Sequence, residues 1–451
     1  MPNQSSPMPR TLIFGAKFST HYGTGTYLAM LFKGWPREKL ATVCGDPYPI
    51  DWSACDRHYE IGSLECGWKW PFCYVGPKKF SGPLQPSSAV NGSSAAQKAS
   101  NPELRSFGAK LKSNLRSKIL RLCQVDLLKR ESLSEQLVSW VREFNPDVIY
   151  ARPSYIVNNR LLRKLQATCG KPLVLHYMDD WPENLYRNGL LDGMFRATYL
   201  KEFVELVKSA DANIAICKEM ADEYEGRYGR KFHWLENPVD IGPFREFTRT
   251  EWSAGKPFRI RYGGRIGWAI TQSLLDMAAV VHELRKSGVN VVFEIHSSQA
   301  GAIAQKCWQY DGVSIHALGP YKDLPKSLFL SDLLFICYDF DPGSIKLARL
   351  SMPGKMGECL ATGTPVLVYG PKGSPVIEYA RRAQWGSVVD ERSHEKLTAT
   401  LKGLIANVAL RERLGTRSIQ LAHEVHTSDK VSENLGAILR GVIRRGASKK
   451  S

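Results

Sequence analysis

Cysteine is scarce. Ten residues in 451, none spaced as C-x-x-C, exclude a disulfide scaffold. The group at positions 44, 55, 66 and 73 reads as buried thiols in preference to a zinc site. Long apolar runs are missing too: no segment approaches the ~18 residues of a membrane span. The first ten residues are polar, hold three prolines and lack the apolar stretch of a secretory signal. Acidic residues are outnumbered, 44 against 61 Lys and Arg, leaving a net charge of +17. Such a surplus points to an anionic partner. No zinc finger, RNP-type motif or aromatic–basic alternation accompanies it, so nucleic acid is not the expected partner. Hydrophobic residues at 43% and charged residues at 23% are ordinary for a globular chain and exclude a disordered one. The expectation is a soluble protein of a reducing compartment.

What is present is alternation. Thr11–Gly15 reads as a strand, followed by a turn of small residues to Gly25 and a helical pattern from Thr26. The pattern blurs after Asp46. Residues 80–102 are rich in Ser, Ala, Pro and Gly and read as a mobile loop. Between 104 and 122, Phe107, Leu111, Leu115, Ile119 and Leu122 recur at helical spacing among six Lys and Arg, a basic amphipathic helix suited to an anionic membrane. Strands are then expected at Asp147–Ala151, Leu173–Tyr177, Ala212–Cys217 and His233–Glu236. A second series runs through Phe258–Gly263, Val289–Ile295, Ser314–His316, Leu333–Cys337, Pro365–Tyr369 and Ser387–Val389. Helices close the chain at about 394–406, 409–425 and 428–445. Two blocks of alternating β and α predict two Rossmann-like parallel-sheet domains facing a central cleft. The expected boundaries are 1–240, 241–428 and a terminal helix with basic tail at 429–451.

Ligands of open parallel sheets bind beyond the carboxyl ends of the strands, so the residues there are the candidates. Gly23-Thr24-Gly25 lets a ligand approach the backbone. It is neither a dinucleotide fingerprint, because Leu28 stands at the last glycine position, nor a P-loop. His176, Asp179 and Asp180 follow an apolar strand, and either Asp is a candidate acceptor of a proton from an attacking hydroxyl. Gly264-Arg265 suits a phosphate group. In the segment from Leu350 to Pro365, Ser351 reads as an N-cap with Pro353 in the first helical turn and Gly363 at the helix end. The helix N-terminus with Gly354 and Lys355 forms an anion site, and Glu358, one turn in, suits two ribose hydroxyls. Asp339-Phe340-Asp341 admits a metal-chelating reading, which its late position in the second series disfavours.

Together these segments resemble the GT-B glycosyltransferases, in particular the retaining family 4 (group 1) enzymes of bacterial polysaccharide assembly. The most specific piece is Ser351-Met352-Pro353-Gly354-Lys355-Met356-Gly357-Glu358 with the strand after it. Leu235-Glu236-Asn237-Pro238-Val239-Asp240 looks like that family's interdomain junction. The resemblance implies a UDP- or GDP-sugar donor, with Arg265 neutralising the diphosphate, Glu358 holding the ribose, and no metal or other cofactor. It implies a hexosyl transfer with retention to a lipid-linked saccharide, in the cytoplasm and peripheral to the inner face of the membrane. Two departures stand out. Leu350 replaces the earlier of two glutamates, and the family's Lys after the Arg is absent, with Gly267, Trp268 and Ala269 in its place. A sugar-nucleotide epimerase of the same architecture is the nearest alternative, and a basic nucleic-acid binder the more distant one.

Overall fold

A computed structural model of the chain describes residues 8–19, 23–46, 48–70, 72–74, 78–86, 129–187, 192–267, 269–298, 301–307 and 309–448. The expected basic helix at 104–122, most of the loop at 80–102 and Lys449–Lys450 lie outside them. By internal contacts the chain forms two units. One joins the chain up to Ala215 with Ala221–Trp234 and the segment from Ser432. The other comprises Ile216–Met220 and Leu235–Val431. No helix among the described residues is long and apolar enough to cross a membrane.

The first unit is built on an eight-stranded sheet. Its strands are β1 (Thr11–Phe14), β2 (Leu40–Cys44), β3 (Arg57–Glu60), β5 (Gly82–Leu84), β7 (Val148–Ala151), β8 (Leu173–Tyr177), β9 (Ala212–Ala215) and β10 (Phe232–Trp234). A small antiparallel pair, β4 (Cys66–Trp68) and β6 (Lys129–Glu131), stands apart. The order is β10-β9-β8-β7-β1-β2-β3-β5, and only β5 runs antiparallel. The wholly buried strands Thr11–Phe14, Leu40–Cys44, Val148–Ala151 and Leu173–Tyr177 are short apolar runs, as a sheet covered on both faces requires. The order reverses between β1 and β7, where the chain leaves β1 toward β2 on one side and returns to β7 on the other. The helix Ser428–Ser448 completes this unit: the Ser432 hydroxyl donates to the Lys33 carbonyl at 2.8 Å, and Leu435 and Leu439 are fully buried.

The second unit carries six parallel strands: β11 (Phe258–Gly263), β12 (Val291–His296), β13 (Val313–His316), β14 (Leu333–Cys337), β15 (Val366–Tyr369) and β16 (Gly386–Val389). Their order, β13-β12-β11-β14-β15-β16, reverses between β11 and β14. Helices supply the apolar sides of its two cores. Leu274, Met277 and Val281 of Thr271–Lys286 pack with Ile260 and Phe293. Met356 and Leu360 of Met356–Ala361 pack with Leu334, Ile336 and the fully buried Trp385. The two-domain parallel-sheet architecture expected from the sequence is therefore present, with the expected strand bounds met or displaced by no more than two residues.

Candidate active site

The reversal point of each sheet is where an open α/β fold offers a crevice beyond the strand ends. In the first unit it lies beyond Phe14 and Ala151. Gly23 has φ 115° and ψ −142°, which only glycine adopts at low cost. Gly25 is needed for a different reason: a Cβ there would stand 2.4 Å from the Ser19 Cβ, so glycine lets the helix Thr24–Leu31 pack against the end of the loop. Thr20, His21 and Tyr22 lie outside the described residues.

The three expected catalytic side chains differ sharply in access. His176, in β8, is fully buried; its Nδ1 and the Tyr150 hydroxyl share a hydrogen bond of 2.6 Å. Burial, and secondarily the charge of Arg152, pushes the imidazole down to about 3, so it is neutral at physiological pH. Asp180 is also fully buried. It accepts from the Tyr224 hydroxyl at 2.9 Å and faces Arg227 at 3.4 Å. Burial raises its pKa despite Arg227. Only Asp179 is partly exposed. The sequence places all three just inside or after one strand end but does not reveal depth: His176 points into the sheet's packing, whereas Asp179 lies two residues beyond β8.

In the second unit, Gly264-Arg265 follows β11, which ends at Gly263, and Asp339 lies just beyond β14, at that sheet's reversal point. The Tyr262 hydroxyl donates to the Arg265 carbonyl at 2.6 Å. A Cβ at Gly264 would lie 2.9 Å from that hydroxyl oxygen, so glycine there permits the tie that fixes the loop. The Arg265 side chain itself is exposed.

The Ser351 segment departs from its sequence reading. The helix starts only at Met356, with Lys355 at the N-cap position, and has six residues. The Ser351 hydroxyl instead donates back to the Leu347 carbonyl at 2.7 Å, closing the preceding helix Pro342–Ala348. Pro353 precedes the helix, and its carbonyl accepts from the Asn237 amide at 2.9 Å. A helix of under two turns makes a weak dipole, so charge at this place comes from side chains. Gly354 is exposed, and a Cβ added there would meet no protein atom within 4 Å. Gly363, with φ +67°, does end the helix.

Glu358 is 5% exposed. The Tyr321 hydroxyl donates to its Oε1 at 3.3 Å, while Oε2 is buried without a hydrogen-bond partner. Burial pushes its pKa up to about 7, with the Lys355 ammonium acting against the rise. Burial also lowers Lys355, whose field includes Glu358, Cys359 and Arg261. Lys355, Glu358 and Arg261 thus form one electrostatic cluster, while Arg265 is tied to Tyr262. Arg261, 7% exposed on β11, is absent from the sequence reading. Its signal was the alternation Arg259-Ile260-Arg261-Tyr262: two arginines on one face of a strand otherwise apolar. Leu350, at the position of the family's earlier glutamate, is buried in the fold.

Asp339 and Asp341, the pair of the metal-chelating reading, are both engaged by backbone amides. Asp339 accepts from the backbone amides of Gln272 and Ser273 at 3.2 and 2.7 Å, and Asp341 from those of Gly343 and Ser344 at 3.0 and 3.1 Å. Each caps a helix start. A different group of metal-ligand types, Glu294, His296 and His316, meets at the ends of β12 and β13. Arg259 already neutralises that carboxylate, with Nη1 2.6 Å from Glu294 Oε1.

Comparison with solved structures assigns the architecture: two such units in this order are the GT-B fold of glycosyltransferases. Sucrose-phosphate synthase from Thermosynechococcus elongatus superposes with a TM-score of 0.62 at 11% identity, over 97% of this chain and all of that one. A glycosyltransferase from Rickettsia africae gives 0.58 at 10% identity, over 96% and 99%. Anabaena HepE, solved with UDP, gives 0.59 at 13% identity, over 96% and 100%. Residues 115–242 match the family model described as Glycosyltransferase Family 4. No curated protein matches the chain by sequence. The family match and the shared fold support glycosyltransferase function of GT-B type.

Proposed function

We propose that the chain transfers a hexosyl unit, with retention, from a UDP- or GDP-sugar to a hydroxyl of a lipid-linked saccharide in cell-surface polysaccharide synthesis. The observation that carries the donor half is Glu358: a buried carboxylate with one oxygen unpartnered, beside Lys355 and Arg261 in the second unit. A ribose presents two hydroxyl donors to such a group, and the neighbouring cations suit the charge of a diphosphate. HepE, of the same fold, has been solved with UDP-glucose, which favours a nucleotide-sugar. Arg265 and Lys355 stabilise the charge that grows on the leaving diphosphate, a role fixed cations fill without a metal. On the acceptor side, proton acceptance falls to Asp179, a reading supported by its partial exposure where Asp180 and His176 are buried.

A thermal-shift screen against UDP, GDP and their sugars, repeated in excess EDTA, tests this reading. A ligand at 100 times its Kd adds about 2.7 kcal/mol of stability. A rise with one nucleotide family, unchanged by EDTA, is expected. No rise with any of them would refute the donor assignment, and a rise that EDTA abolishes would refute metal independence. Turnover of the nucleotide-sugar to an altered sugar without acceptor would favour the epimerase. Docking on anionic lipid through residues 104–122 is a further part of the proposal. Changing Lys110, Lys112, Arg116 and Lys118 to Glu should abolish sedimentation with anionic vesicles, at ~1 kcal/mol per basic residue. Unchanged sedimentation would remove this part.

A further inference from the structure

Arg152 is the first residue after β7, at the reversal point of the first sheet. Its backbone amide donates to the Phe14 carbonyl at 3.1 Å, so its position is fixed to the end of β1. The side chain is half-buried, and Nε is enclosed without a hydrogen-bond partner. A guanidinium taken partly out of water is costly unless an opposite charge meets it. Lys17, on the loop after β1, shows the usual solution: its Nζ lies 3.3 Å from Glu60 Oε2. No carboxylate among the described residues does this for Arg152. Asp180, on the neighbouring segment, is held by Tyr224 and Arg227.

The adjoining group narrows the chemistry that suits Arg152. β7 and β8 run parallel with Ala151 opposite Leu175, so Arg152 follows level with His176, and its charge acts on the imidazole. It is fully buried, neutral at physiological pH and bonded through Nδ1 to Tyr150, and its Nε2 also lacks a partner. An unpaired cation and an unpartnered imidazole nitrogen therefore lie together at the place where an open sheet receives its ligand. A neutral imidazole cannot serve as the counter-charge. An oxyanion satisfies the planar fork of the guanidinium with paired hydrogen bonds.

We infer that Arg152 binds an oxyanion, phosphate or carboxylate, carried by the acceptor at the β1–β7 edge of the first unit, with His176 as the neutral positioning group behind it. This rests on the acceptor-side reading of the first unit proposed above. The acceptor is then an anionic saccharide or saccharide phosphate, and Arg152 selects it over a neutral one.

The test uses full-length protein with [13C]histidine, the His176 resonance being assigned through His176→Gln. Inorganic phosphate and acetate are titrated separately, each with and without saturating UDP. Saturable movement of the His176 resonance by either anion is expected in both UDP conditions. Phosphate acting alone identifies a phosphate-bearing acceptor, and acetate acting alone a carboxylate. Arg152→Gln should weaken half-saturation by about tenfold or more, the loss of a charge-assisted pair, while Arg152→Lys retains part of the effect. Without anion, Arg152→Gln should melt no lower than the parent, because an uncompensated charge has been removed. An unmoved His176 resonance with both anions would overturn the inference. So would equal titrations of the parent and Arg152→Gln, which would leave ordered water as the occupant. Absence of any UDP effect on melting would refute the donor reading and leave the anion result standing.

Discussion

Arg265→Ala is expected to lower turnover by about 10²-fold or more, with a smaller change in donor KM, if the loss resembles that of an oxyanion-hole donor. The reason lies in when the charge appears. The diphosphate gains negative charge as the glycosidic bond breaks, so a cation aimed at it strengthens its hold most at the transition state. Arg265 is exposed at the reversal point of the second sheet, with its backbone held by Tyr262, and has no carboxylate partner among the described residues. Donor titrations at saturating acceptor check the outcome. Near-normal kinetics would remove Arg265 from the donor site and weaken the placement of Lys355 and Glu358 beside it.

Glu358→Gln should separate stability from binding. In the folded chain burial raises this carboxyl from its ordinary 4.5 to about 7. Between those values the folded state holds a proton that the unfolded chain has released. Stability therefore falls as pH rises through this window, and the cost is fully present above it. At 1.36 kcal/mol per pH unit, the whole shift corresponds to about 3 kcal/mol. The neutral amide removes the cost, so the variant should gain up to about 3 kcal/mol over the parent at pH 8 and little near pH 4.5. Urea melts at the two pH values read this directly. A gain equal at both would mean that the side chain does not titrate in this window. The same change replaces a charged acceptor of ribose hydroxyls by a weaker one. A hydrogen bond to a charged group contributes roughly 1.5–3 kcal/mol, so nucleotide binding should weaken by about tenfold or more. A fold made firmer and a nucleotide held more loosely is the expected pair of results.

Burial also explains which parts of the molecule the sequence discloses. Leu173–Tyr177 and Leu333–Cys337 are strands within the bounds their apolar runs suggest, because a strand covered on both faces must be largely apolar. β3 escapes notice since Arg-His-Tyr-Glu carries no such run. Its His58 is nevertheless buried, sharing a 2.6 Å hydrogen bond with Thr42 from the next strand. The Ser351 cap is misread for a related reason. Serine followed by proline two residues later fits a helix start, but the Leu347 carbonyl of the helix before it competes for the hydroxyl and wins. For the site, residue type and strand-end position pick out His176, Asp180 and Glu358. Depth is a tertiary property, and depth divides them into a walled-in imidazole, an ion-paired acid and a carboxyl near neutrality. Arg152 and Arg261 go unnoticed because their meaning lies in what surrounds them.

The membership of the terminal helix in the first unit bears on how the chain is made. Leu435, Leu439 and Val442 are buried, and Ser432 reaches back to Lys33. Domains usually fold in the order in which the ribosome releases them. Here the unit that begins emerging first waits for the segment from Ser432, which is translated after the second unit. The second unit, continuous from Leu235 to Val431 apart from one short piece, can close before it. A nascent chain halted at Val431 would carry a closed second unit beside a first unit still lacking its final helix.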